Sequence, residues 1–108
     1  MKILIDECLP KSIKHEFFGH LALTVRDMGW DSKTNGELMS VEMNEGFEVF
    51  VTVDKNLQFQ QNLKKYNIIV IVLDVFKNEI EFLKPIVPDV LKGLTDLRKG
   101  EAYIFGQK

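Results

Sequence analysis

The chain has little that would commit it to the cell exterior, to a membrane or to bulk nucleic-acid binding. Cys8 is its only cysteine, so no internal disulfide can form, which fits a reducing compartment. No apolar run approaches the roughly 18 residues that a membrane-spanning helix requires. The amino terminus reads as a strand with no signal-peptide layout. The expectation is a cytoplasmic protein with no membrane contact. Positive charge is not in excess: 14 Lys and Arg stand against 16 Asp and Glu, for a formal net charge of −2. That balance excludes holding nucleic acid by overall charge. It leaves open an enzyme that meets phosphate through a bound cation. Internal repeats, low-complexity tracts and linkers are also missing. A chain of 108 residues is long enough for one core and too short for two, so residues 1–108 are expected to form a single domain.

What the chain does contain is apolar runs that end in acids. Glu48 to Val53 is rich in β-favouring residues and stops at Asp54. Helical spacing of Phe59, Leu63 and Tyr66 follows. Met1 to Ile5 is a second such strand, stopping at Asp6-Glu7. Ile68 to Leu73, six apolar residues in a row, is the strongest central-strand signal, because a strand covered on both faces reads as a continuous apolar run. Leu21 to Val25 and Ala102 to Phe105 complete the strands, the last as an edge.

Between them lie helical patterns. Leu9, Ile13 and Phe17 predict a helix over residues 10–18, and Arg26 to Lys33 a polar loop. A helix over residues 35–45 presents Leu38, Met39, Glu42, Met43 and Phe47, with Gly46 as its stop. Asn78 to Phe82 suggests a short helical turn. A last helix buries Val90, Leu91, Leu94 and Leu97, with Asp89 in its first turn, Arg98-Lys99 in its last and Gly100 as its stop. Alternating strands and helices predict an α/β fold, a three-layer α/β/α sandwich with a mainly parallel central sheet.

Each acid has a plain structural explanation. Asp54 is a favoured N-cap for the segment after it. Thr34-Asn35-Gly36-Glu37 fits a capping box. Asp6 and Glu7 suit the polar end of a strand. Together they suggest more, because ligands of open α/β sheets bind beyond the carboxyl ends of the strands. Two candidate central strands end in an acid at the same edge, and such carboxylates repel unless a cation offsets them. Oxygen clusters of this kind suit Mg²⁺ or Mn²⁺, and Glu37 joins the cluster if its helix starts at that edge. His15 and His20 lack partners at ligand spacing and read as surface residues. Cys8 reads as a small buried residue near the site.

Met1 to Glu7, Asn35-Gly36-Glu37-Leu38 and Val51 to Leu57 resemble the small PIN-like family, and the likeness runs on through Gln60-Gln61-Asn62-Leu63 and Ile68 to Leu73. The family is related to PIN-domain ribonucleases, and many members are toxins of toxin–antitoxin pairs. The resemblance implies a Mg²⁺- or Mn²⁺-dependent ribonuclease with RNA as substrate, and an antitoxin or a second copy of the chain as partner. By position, the metal-binding and catalytic acids would be Asp6, Glu37 and Asp54. Thr52 and Asn56 would position water or phosphate, and Lys55 would contact a phosphate. Asn56 stands where the family often has a further acid, and Asp74 is a possible substitute. Two other readings remain: a PIN-like fold that only binds a partner, and a receiver-like signalling domain with Asp54 as phospho-acceptor and Lys84-Pro85 as its lysine–proline pair. Against the receiver, only Asp74 to Glu79 separate the fourth strand from Ile80 to Leu83, too few for a parallel crossover.

Overall fold

A computed structural model describes residues 1–33, 35–55 and 65–106, with the backbone alone for residues 35, 36, 42 and 43. Five strands, β1 (Lys2–Ile5), β2 (Leu21–Thr24), β3 (Val49–Thr52), β4 (Ile69–Asp74) and β5 (Ala102–Gly106), form one sheet in the order β2-β1-β3-β4-β5. Every neighbouring pair is parallel, with Ile3 beside Ala22 and Val49, and Val51 beside Ile71. The fold is α/β, as the alternation of patterns predicts.

Burial explains the strand sequences. Residues of β3 and the first five of β4 are buried, so these central strands carry apolar side chains on both faces. The pleat sorts them into two clusters. Ile3, Ile5, Val49, Val51, Ile69, Ile71 and Leu73 pack with Leu9, Ile13, Phe17, Leu83, Val87, Val90 and Leu94. Leu4, Phe50, Val70 and Val72 pack with Val25, Leu38, Met39, Phe47 and Tyr66. Each fully buried side chain of this size contributes roughly 1.5–3 kcal/mol. A one-residue slip of β1 would exchange Ile3 and Ile5 for Leu4 and break both clusters.

The first connection is tighter than predicted. Lys11–Glu16 is a 3-10 helix, entered from Pro10 in an extended conformation and left at Phe17. The apolar spacing is satisfied all the same, because Leu9, Ile13 and Phe17 all reach the first cluster. Helix α1 (Asn35–Asn44) matches its expected span, and Gly46 turns the chain at a φ of +82°, a conformation other residues adopt only with strain. The helix expected after Asp54 lies mostly outside the described residues, although Tyr66 is buried as its pattern required. The turn near residue 80 is α2 (Ile80–Leu83).

The last helix is shorter than its pattern implies. Helix α3 (Val87–Gly93) passes into a 3-10 turn at Leu94–Asp96, and Leu97 is already extended. Arg98 and Lys99 therefore lie outside its last turn, and the dipole argument does not apply to them. The Arg98 N–H donates to the Tyr103 hydroxyl at 3.0 Å. Gly100 instead leads into β5, its N–H donating to Ile68 O at 2.8 Å. Val90, Leu91, Leu94 and Leu97 still face the first cluster, because a 3-10 continuation keeps residues three apart on one side.

Among the described residues no helix is long and apolar enough to cross a membrane. Among the aromatic residues, Phe17 is buried and Phe105 packs against the first cluster. Trp30 makes an edge contact with Phe47 at 5.8 Å between ring centroids. Phe18 and Phe76 are exposed.

Candidate active site at the sheet's topological switch

The chain runs from β1 to β2 on one side and returns to β3 on the other, so the strand order reverses between β1 and β3. Ligands of open α/β sheets usually bind at such a reversal, in the crevice beyond the carboxyl ends of the two strands. Asp6 follows β1 and Asp54 lies just past β3, one on each side of it. Neighbouring strands are about 4.8 Å apart, close enough for side chains at adjacent ends to meet one ligand.

Both positions are held. The β1–β3 ladder extends one bond further, with the Asp6 N–H donating to Val51 O at 2.9 Å. On the other side of β1, the Val25 N–H donates to Ile5 O at 2.9 Å. Thr52, with none of its surface exposed, joins the two acids. Its hydroxyl donates to Asp6 Oδ2 at 2.7 Å and accepts the Asp54 N–H at 3.0 Å. The Asp6 carboxylate is thus aimed by a buried group, and the β3 exit that carries Asp54 is fixed by the same oxygen. A buried hydroxyl without these partners would cost about 1–3 kcal/mol.

A side-chain hydrogen bond links the neighbouring loops. Asn78 Nδ2 donates to Cys8 O at 2.6 Å, tying the segment after β4 to the loop after β1. Cys8 is exposed rather than buried as expected, but its Sγ lies 3.8 Å from Thr52 Oγ1. The one proton of Thr52 goes to Asp6, so the thiol is the donor in that contact. Desolvation first, and the Asp6 charge second, push the Cys8 thiol up to about 11. It stays neutral and is a poor nucleophile.

Asp74 ends β4 and pairs with Lys55 at 2.6 Å. The two are exposed, so the pair adds little stability. Glu37 is exposed in the first turn of α1. Among the described residues no three His, Cys, Asp or Glu side chains come together as a ligand set. Asn56 lies outside the described residues. His15 is exposed, as expected, whereas His20 meets the terminal amino group at 3.1 Å through Nδ1. Burial, and then that positive charge, lower its pKa. Lys84 ends helix α2 with its Nζ 3.9 Å from Glu16.

Asp6 and Asp54, at adjacent strand ends, are the residues that would hold a small divalent cation. Mg²⁺ is usually held by one or two carboxylates, with water and substrate phosphate filling the other positions. A third protein acid is not required.

Sequence reading missed one wall of this region. A cleft of about 220 Å³ beside Asp6 is lined by Glu7, Leu9, Lys11, Thr24, Arg26 and Asp27. The Thr24 N–H donates to Asp27 Oδ2 and the Asp27 N–H to Thr24 Oγ1, both at 2.9 Å. A Thr followed three residues later by Asp is a readable signal for such a reciprocal turn. The signal straddles the boundary between the predicted strand Leu21 to Val25 and the polar loop Arg26 to Lys33.

Comparison with protein-family models, with curated proteins and with solved structures finds no match to this chain.

Proposed function

We propose that the protein is a Mg²⁺- or Mn²⁺-dependent ribonuclease of PIN-like type, a three-layer α/β/α member of that group acting in the cytoplasm as the toxin of a toxin–antitoxin pair. The observation that carries the reading is the Asp6–Thr52–Asp54 arrangement at the β1/β3 switch. A carboxylate there is oriented by a buried hydroxyl, and a second carboxylate sits on the next strand.

In this reading Asp6 and Asp54 would hold the cation. A bound Mg²⁺ or Mn²⁺ supplies charge neutralisation at phosphate and a more acidic water. Thr52 keeps the Asp6 oxygens pointed into the crevice, which limits the reorganisation needed when substrate arrives. Glu37 serves as a ligand through water or as general base, Asn56 positions water or phosphate, and Lys55 exchanges Asp74 for a substrate phosphate. Exposed Phe18 and Phe76 are the contact points for an antitoxin or a second copy of the chain. Lys84 lies at a helix end rather than at a strand's carboxyl end, which weighs against a receiver-like domain.

The test is a cleavage assay on structured RNAs with and without Mn²⁺, beside an Asp6→Asn variant whose fold is checked by circular dichroism. Cleavage that needs Mn²⁺ and is lost in Asp6→Asn is expected. No cleavage, together with no Mn²⁺ binding at millimolar concentration, would leave a PIN-like module that only binds a partner.

A further inference from the structure

Two cations line the cleft beside Asp6 without a carboxylate partner. Lys11 and Arg26 face the same space as Asp6, Glu7 and Asp27, yet among the described residues neither belongs to an ion pair. Asp27, the acid shared by this cleft and the next, is taken by Lys14 at 2.8 Å and by the Thr24 N–H. Its charge is therefore matched within the protein. A second cleft of about 300 Å³, lined by Lys11, Ser12, Lys14, His15 and Asp27, adjoins the first through Lys11 and Asp27.

The scaffold under these cations is fixed. Reciprocal Thr24–Asp27 hydrogen bonds close the turn that carries Arg26, and the Gly29 N–H donates to Arg26 O at 3.0 Å. The Lys14–Asp27 bridge fastens that turn to the 3-10 helix that carries Lys11. Lys11 and Arg26 thus come from two elements locked to one another, on the β2 side of β1, beside the proposed reaction site. Unpaired cations on a rigid frame suit a ligand with repeated negative charge, and two adjoining clefts suit a chain rather than a single ion.

We infer that Lys11 and Arg26 grip the phosphodiester backbone of a single-stranded nucleic acid, which runs from the Asp6 crevice through the paired clefts. The inference rests on the nuclease reading above for where the strand is cut, and on the cleft geometry alone for where it lies.

The experiment is fluorescence anisotropy of a labelled single-stranded RNA, and of DNA of the same sequence, in buffer containing EDTA so that nothing is cleaved. Wild type is compared with Lys11→Ala, Arg26→Ala and Arg26→Lys. Lys99→Ala is the control, because Lys99 faces Glu48 near the amino end of β3, at the opposite edge of the sheet. Each alanine variant is expected to weaken binding several-fold. Each should also lower the slope of log affinity against log salt by about 0.7, one single-strand phosphate contact. Arg26→Lys should keep most of the affinity, and Lys99→Ala all of it. Alanine variants that bind like wild type overturn the inference, and so does a loss confined to RNA, which would mean that the contacts are not to phosphate. Asp6→Asn separates the two readings. If it binds normally and the wild type never cleaves, the strand path stands and the nuclease falls. If it stops cleavage while the Lys11 and Arg26 variants bind like wild type, the nuclease stands and the path falls.

Discussion

Thr52 has the most demanding role of any single residue. It is a fully buried polar side chain whose one hydroxyl serves Asp6 and Asp54 together. Thr52→Val keeps the shape and removes both hydrogen bonds, leaving a carboxylate oxygen and an N–H short of a partner. A loss of about 1–3 kcal/mol in urea unfolding is expected, whereas Thr52→Ser should retain much of the stability. Equal losses in the two variants would show that the methyl group matters rather than the hydroxyl. Cys8 supplies a second expectation. Because partial desolvation of its sulfur and the Asp6 charge raise its thiol to about 11, alkylation at neutral pH should run well below the rate of a free cysteine, although the residue as a whole is exposed. Asp6→Asn removes the second of those causes and should speed the reaction in part. Rapid alkylation of the wild type would contradict the assignment.

Among the elements, the turn after β2 joins stability to the cleft. Hydrogen bonding to Lys14 first, and the Thr24 N–H second, hold the Asp27 carboxyl down to about 2 from its ordinary 3.8. A depressed folded-state pKa means stability that is fully present above 3.8 and lost as pH falls toward 2. The difference in melting temperature between wild type and Asp27→Asn should therefore close across that window and stay constant above it. A difference that persists unchanged through the window would mean that the turn does not depend on the Asp27 charge. The effect is modest, because this pair is partly exposed to solvent. The turn's larger consequence is geometric, since it holds Arg26 at the cleft that Lys11 also lines.

Across the whole molecule, four of the five strands deliver an acid to the same edge: Asp6 after β1, Asp27 in the turn after β2, Asp54 after β3 and Asp74 at the end of β4. Asp27 and Asp74 are paired with lysines at 2.8 and 2.6 Å. Asp6 and Asp54 are joined through Thr52 at the switch point, where the proposed cation would sit. A ligand that binds only the folded state stabilises it by mass action. Mn²⁺ at ten times its dissociation constant would add about 1.4 kcal/mol, or roughly 6–10 °C for a domain of this size. That rise should vanish in Asp6→Asn. A melting temperature that does not respond to millimolar Mn²⁺ in the wild type would argue against a cation at this edge.

The strands were legible in the chain because apolar runs of β-favouring residues have few other places to go. Val49–Thr52 and Ile69–Asp74 fall within a residue or two of their predicted spans. The α1 boundary was legible as well, since Gly46 can take a backbone conformation that ends a helix without strain. Lengths of short helices were not, because Lys11–Glu16 and Leu94–Asp96 satisfy the same apolar spacing in a tighter winding. The candidate acids Asp6 and Asp54 could be picked out by their place at strand ends, before any strand order was known. Sequence alone established that acids close the strands. Only the tertiary structure decided that β1 and β3 are neighbours, that Thr52 bridges their acids, and that Lys11 and Arg26 share a cleft with Asp6. Those are contacts between residues distant in the chain, set by how the sheet is ordered and which faces it buries, and no local pattern encodes them.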